Sequence, residues 1–144
     1  MIPMLLRPLL SADYEAVMAL WTSVEGMGIS EADSRASVER FLDRNPGLSF
    51  VAEIEGLVAG AVLCGHDGRR GFLYHLAVAP HHRRKGIGSA LANRCLAALQ
   101  ALSIDKCHLF VFNDNLEAHE FWEALGWAQR NDLIMMSCGT ALKS

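Results

Sequence analysis

Between residues 72 and 91 the chain runs through an aromatic and branched stretch, Phe72-Leu73-Tyr74-His75-Leu76-Ala77-Val78, then a proline, a basic turn, two glycines and an apolar-periodic segment. No other stretch restricts the fold as much. The first part reads as a central strand that Pro80 stops, and the last part as a long helix over residues 86–102, with Ile87, Leu91, Cys95, Ala98 and Leu102 on one stripe. Free N–H groups and the positive dipole end at such a helix start can cradle a pyrophosphate, and glycine lets the main chain come close to it. Arg83, Arg84 and Lys85 add charge beside Gly86, Ile87, Gly88 and Ser89. The Gly-x-Gly-x-x-Gly of a dinucleotide fold and the Gly-Lys-Ser/Thr of a nucleotide triphosphatase are both absent from this turn.

The remaining elements follow from periodicity and punctuation. A short strand over residues 4–6 precedes a helix with Ser11 as its N-cap, Asp13 and Glu15 in the first turn, and an apolar face of Tyr14, Val17, Met18 and Trp21. A second helix spans 36–44 and ends at Asn45-Pro46-Gly47. Strands at 48–54 and 57–64, joined by Glu55-Gly56, read as an antiparallel hairpin, and Asp67-Gly68-Arg69-Arg70-Gly71 turns into the strand at 72–78. After the long helix, a strand at 106–112 lies parallel to that at 72–78 because the connection is a crossover. A helix over 116–125 and a last strand over 133–138 complete an α/β chain: a mixed sheet with helices on its faces, expected to form one domain over 1–144.

Composition removes several functions. A net charge of −3 gives no global basic field for nucleic acid, and no apolar run approaches a bilayer span or follows a basic leader, so a cytoplasmic protein without a membrane is expected. Cys64, Cys95, Cys107 and Cys138 stand far apart, without a Cys-x-x-Cys pair or a histidine at zinc-ligand spacing. They are expected to be reduced and mostly buried, which argues against a metal or redox centre.

Arg83-x-x-Gly86-x-Gly88 resembles the pyrophosphate-binding motif of the GNAT superfamily of acyl-CoA-dependent N-acyltransferases, and Leu76-Ala77-Val78-x-Pro80 resembles that family's central strand. Asn113-Asp114-Asn115, Ala118, Phe121 and Gly126-Trp127 resemble its second signature, at the right separation. The resemblance implies a mostly antiparallel GNAT-like sheet with helices on both faces and a splayed parallel strand pair. It implies acetyl-CoA as acyl donor, without a metal. The main chain at Leu76, Ala77 and Val78 would bind the pantetheine arm and acetyl carbonyl, and Arg83, Arg84, Lys85, Gly86, Ile87, Gly88 and Ser89 the pyrophosphate. Asn115 would reach the pantetheine, with Phe121 and Trp122 packed near the thioester. The acceptor would be an amine on a small molecule or a peptide, and a homodimer, with the 133–138 strand at its interface, is also implied.

Direct attack by a neutral amine on a thioester needs a base for the ammonium proton and an acid for the leaving thiolate. Many relatives use a tyrosine at the position of Trp122 as the acid, but an indole has no such proton to give. Tyr74, a water or the backbone are the substitutes. Phe72 and Phe110 stand where relatives often carry a glutamate base, so His75 is the first candidate base and Glu25 the second. In a regular strand Tyr74 and His75 point to opposite faces, and only a bulge would bring both to one side. The loop holding Glu25, Glu31 and Asp33 reads either as an acidic lining for a cationic amine or as a solvated turn. Because Trp122 replaces the tyrosine, a non-catalytic acyl-CoA-binding or sensing module is the alternative function.

Overall fold

The computed structural model describes residues 3–141; Met1, Ile2 and residues 142–144, the two ends of the expected domain, lie outside the described residues. The chain divides into two compact units, Met1–Phe112 and Asn113–Ser144.

The first unit is built on five strands: β1 (Met4–Pro8), β2 (Phe50–Ile54), β3 (Leu57–His66), β4 (Gly71–Val78) and β5 (Cys107–Leu109). They lie side by side in chain order, antiparallel except for the β4–β5 pair. Three helices accompany them, α1 (Tyr14–Thr22), α2 (Arg35–Arg44) and α3 (Ile87–Ala101). This is the mixed, mostly antiparallel sheet expected from the sequence, with its parallel pair made by the α3 crossover.

Each face of the sheet is shaped by what packs on it. Val17, Leu20 and Trp21 of α1 are buried in one cluster with Val51, Ala61, Leu63 and Ala77, so α1 covers the face these strand residues share. Gly65 makes room for α2, because a Cβ there would come within 2.8 Å of the Phe41 ring. On the opposite face α3 lies so close that a Cβ at Gly60 would be 3.0 Å from both Ile87 and Leu91, and one at Gly71 would be 2.5 Å from Leu99. Burial of each large side chain here contributes about 1.5–3 kcal/mol.

Two local expectations change. Ser11 does not cap α1; its hydroxyl donates to Glu39 of α2 at 2.8 Å, and a short 3-10 turn, Ser11–Asp13, precedes the helix. Asp13 takes over at the entry, accepting from the Leu10 N–H at 2.9 Å and from both Arg7 amino groups at 2.7 and 2.8 Å. The strand expected over 106–112 stops at Leu109, because β5 pairs with β4 only from Gly71 to Leu73 and has no ladder beyond that point.

The second unit holds one helix, α4 (Leu116–Ala124), opened by Asn115, whose Oδ1 accepts the Ala118 N–H at 3.2 Å. Trp122 packs edge-on against Phe121 and Trp127, each at 5.0 Å between ring centroids. The strand expected over 133–138 does not form. Leu133, Ile134, Met135 and Met136 are 60%, 86%, 69% and 86% exposed, and without a partner ladder their apolar character does not make a strand.

Candidate active site

The basic turn has the backbone that its sequence demands. After β4 a 3-10 turn, Pro80–His82, leads into Arg84 at φ 64° and Gly86 at φ 79°, and α3 begins at Ile87. A Cβ on Gly86 would meet nothing within 4 Å, so it is the left-handed φ that calls for glycine there. The first N–H of the helix to bond back is that of Ala90, to the Gly86 carbonyl at 3.0 Å. The N–H groups of Ile87, Gly88 and Ser89 therefore have no carbonyl of their own helix to bond, and they form the positive end of a helix of 15 residues. Arg83, Arg84 and Lys85 are exposed around them. His82 is held below the ordinary imidazole value by desolvation first, then by His81 and Lys85, so it adds little charge to the turn at neutral pH.

Upstream of this turn β4 departs from a regular strand. Between the Ala61–Ala77 and Leu63–Tyr74 pairs β4 carries one residue more than β3, and His75 sits at φ 55°, unusual for a residue other than glycine. The bulge removes the alternation that would separate Tyr74 from His75. Tyr74 meets Phe41 of α2 edge-on at 6.0 Å, and His75 lies 5.0 Å from the Trp21 ring of α1, so both face the side of the sheet that carries α1 and α2. Past Leu73, β4 has no strand partner on the β5 side among the described residues, so the peptide groups of Leu76, Ala77 and Val78 on that side join no ladder.

His75 is tightly held. Its carbonyl accepts the Trp21 Nε1–H at 2.8 Å, and its Nε2 lies 2.8 Å from Oδ1 of Asp33. Asp33 is only 4% exposed; its Oδ2 accepts the Ser30 N–H at 3.0 Å and its carbonyl accepts the Tyr14 hydroxyl at 2.7 Å. Sequence reading placed Asp33 in an acidic loop and missed its pairing with His75. The only local signal was Ser30-x-x-Asp33, a capping pattern that marks a turn but not a partner 42 residues away. Glu25 lies exposed after α1 and, among the described residues, takes part in no hydrogen bond or ion pair, so the structure does not bring it to His75.

Tyr74 is 37% exposed, and its phenol is pushed up from the ordinary value by partial burial and then by Cys107. Its ring belongs to an aromatic strip in which Phe72 lies 6.3 Å from Tyr74 and 6.2 Å from Phe110, both nearly parallel. At Gly28, φ 67°, a Cβ would stand 2.9 Å from the Phe112 ring, so the loop after α1 rests on the chain leaving β5. Cys64 and Cys95 are buried and free; the Cys95 thiol is pushed far up by its hydrogen bond with Cys64 and by burial, and that of Cys107 up to about 12 by burial. These are thiols and not ready nucleophiles. Cys138, against expectation, is exposed. Among the described residues no group of three His, Cys, Asp or Glu side chains could hold a metal, and no helix is long and apolar enough to cross a membrane. In the second unit, the Asn115 side chain is engaged as the cap of α4, and Phe121 and Trp122 lie in that unit's aromatic cluster.

The family model for the Acetyltransferase (GNAT) family matches residues 13–127. An acetyltransferase of Pectobacterium atrosepticum is 40% identical over 103 residues, covering 72% of each chain, and one of Sodalis glossinidius is 33% identical over 124 residues, covering 86% of this chain and 87% of its own. Among solved structures, the PaiA N-acetyltransferase of Thermoplasma acidophilum in complex with coenzyme A superposes with a TM-score of 0.75 at 18% identity, over 86% of this chain and 89% of that one. The aminoglycoside 6'-N-acetyltransferase of Acinetobacter haemolyticus gives a TM-score of 0.76 at 18% identity, over 95% and 99%. These structural likenesses speak for the fold, and the family model and the sequence relatives for the lineage: the chain belongs to the acetyltransferase (GNAT) family.

Proposed function

We propose that the protein is an acetyl-CoA-dependent N-acetyltransferase that moves the acetyl group to a primary amine, of a small molecule or of a peptide, by direct attack. The observation that carries this reading is the left-handed turn at Arg84 and Gly86, which opens α3 a few residues after the half of β4 that pairs with β3 alone. A pyrophosphate on the N–H groups of 87–89 would be flanked by Arg83, Arg84 and Lys85, with the pantetheine arm running back along Leu76, Ala77 and Val78. Asn115, Phe121 and Trp122 would add the donor contacts that the family resemblance implies. Two structural relatives support the donor: PaiA was crystallised with coenzyme A, and the aminoglycoside acetyltransferase AAC(6')-Iy with a bisubstrate analogue built on CoA.

In the reaction the amine lone pair attacks the thioester carbonyl carbon, the C–S bond breaks, the nitrogen loses one proton and the departing thiolate gains one. Holding donor and acceptor together supplies much of the acceleration. His75 takes the proton from nitrogen. Tyr74 protonates the thiolate, since burial keeps its phenol in the acid form throughout the neutral range. Each proton transfer is worth roughly 10²–10⁴-fold. The aromatic strip of Tyr74, Phe72 and Phe110 offers the acceptor an apolar flank beside these groups.

Calorimetric titration with acetyl-CoA, followed by free-thiol release with a panel of polyamines, amino acids and lysine peptides, tests the proposal. Binding with amine-dependent release is the expected result. Binding without release from any amine would instead favour a non-catalytic acyl-CoA sensor, the reading that Trp122 invites, and absence of binding would remove both.

A further inference from the structure

We infer that Asp33 is the positioning residue of the transferase: its buried carboxylate holds the His75 ring with a proton on Nε2, leaving Nδ1 bare to take the proton of the acceptor amine. The inference rests on the reading of His75 as base and adds to it the atom that reacts and the group that selects it. A carboxylate only accepts hydrogen bonds, so the 2.8 Å contact between Asp33 Oδ1 and His75 Nε2 requires the proton to lie on Nε2, and in the neutral ring the lone pair is then on Nδ1.

Nδ1 is within reach of solvent. Among the described residues no buried side-chain nitrogen or oxygen lacks a partner, and the one hydrogen bond of the His75 ring is made by Nε2; Nδ1 is therefore not buried, although the side chain as a whole is only 16% exposed.

Neither partner can swing away. The second oxygen of Asp33 is occupied by the Ser30 N–H and its main chain is tied by the Tyr14 hydroxyl; Tyr14 in turn lies under the Arg35 guanidinium at 4.8 Å, and Arg35 pairs with Glu15 at 2.7 Å. His75 is fixed by Trp21 at its carbonyl and across its ring. Its left-handed backbone, at φ 55°, costs stability that a purely structural histidine would not require. What the strained residue gains is a ring locked between Trp21 and Asp33 and presented on the same face as Tyr74.

Asp33→Asn separates positioning from packing. Asparagine has the same shape and can still accept the Ser30 N–H through its oxygen, but its amide then donates to Nε2 and moves the ring proton to Nδ1. The ¹⁵N spectrum of histidine-labelled wild-type protein is expected to show the His75 proton on Nε2, and that of the variant to show it on Nδ1. With the amine turned over fastest in the panel, kcat of Asp33→Asn should fall about 100-fold or more while the affinity for acetyl-CoA stays that of the wild type. A wild-type spectrum with the proton on Nδ1 overturns the inference without any variant having to fold. So does an Asp33→Asn protein with the switched tautomer and undiminished kcat. His75→Asn, whose side chain tolerates a left-handed backbone, probes the underlying reading separately. Full activity there removes His75 as base, whereas its loss together with an active Asp33→Asn removes only the role of Asp33.

Discussion

The two ends of β4 differ in what pairs with them and in how regular their backbone is. At its start, Gly71, Phe72 and Leu73 are paired on both sides, with β3 and β5, and Leu99 of α3 fills the space where a Gly71 side chain would lie. At its finish the strand carries an extra residue, a left-handed histidine and an edge without a parallel neighbour, and it runs into a turn with two more left-handed residues. This far end keeps left-handed residues and an edge that joins no ladder, and backbone of this kind clusters at functional sites in proteins generally. A single bulge thus divides the packed start of the strand from the end where the donor site is proposed.

The sharpest way to break this contrast is at the turn. Gly86→Val places a β-branched residue at φ 79° beside the open N–H groups and should weaken acetyl-CoA binding about 100-fold or more by calorimetry. Arg83→Ala with Arg84→Ala should cost about 10–100-fold through lost charge-assisted contacts. Unchanged affinity in both would mean that the turn does not hold the donor.

Tyr74→Phe should lower kcat about 100-fold, while Trp122→Phe leaves most of the activity. The pH profile adds a sign. The acid must be protonated, and burial raises the phenol, so Tyr74-dependent turnover should persist to pH values above the ordinary phenol value of about 10 and decline only beyond it. Equal profiles for wild type and Tyr74→Phe would exclude the phenol as proton donor.

At the closed end the effects should be of another kind. Gly71→Val forces a side chain into the place of Leu99 and should cost about 1–3 kcal/mol in chemical denaturation, with acetyl-CoA affinity per folded molecule unchanged. The smallest effect is expected furthest from β4. The Arg7 guanidinium holds the Asp13 carboxyl below the usual carboxylate range, so this pair stabilises the fold above the unfolded value near 4 and loses that contribution as pH falls through the lower folded value. Asp13→Asn should therefore cost about 1 kcal/mol at neutral pH and flatten the acid limb of the stability curve.

Reading the sequence recovered what is local. The basic turn, Gly86, Gly88 and the first part of the α3 stripe lie within one strand–turn–helix unit: Ile87, Leu91 and Cys95 are buried as the periodicity expects, whereas Leu102 falls beyond α3 and is exposed, and Leu99 takes the buried place. The sequence raised a bulge only as the condition for Tyr74 and His75 to share a side, because register is not encoded in 72–78, and the Asp33 contact escaped because it comes from a loop 42 residues upstream. Ser11 fails as a cap because its hydroxyl donates to Glu39 of α2, a partner 28 residues away that the local pattern does not encode. The run at 133–138 has strand composition, but composition cannot supply the partner edge a strand needs.

Donor binding is proposed for the far end of β4 and the turn after it. Backbone amide NMR of the full chain titrated with acetyl-CoA tests it most directly. The account predicts large shifts at residues 76–78 and 83–89 and small ones at 71–73; saturable binding that leaves residues 83–89 unmoved, or no binding at all, would contradict it.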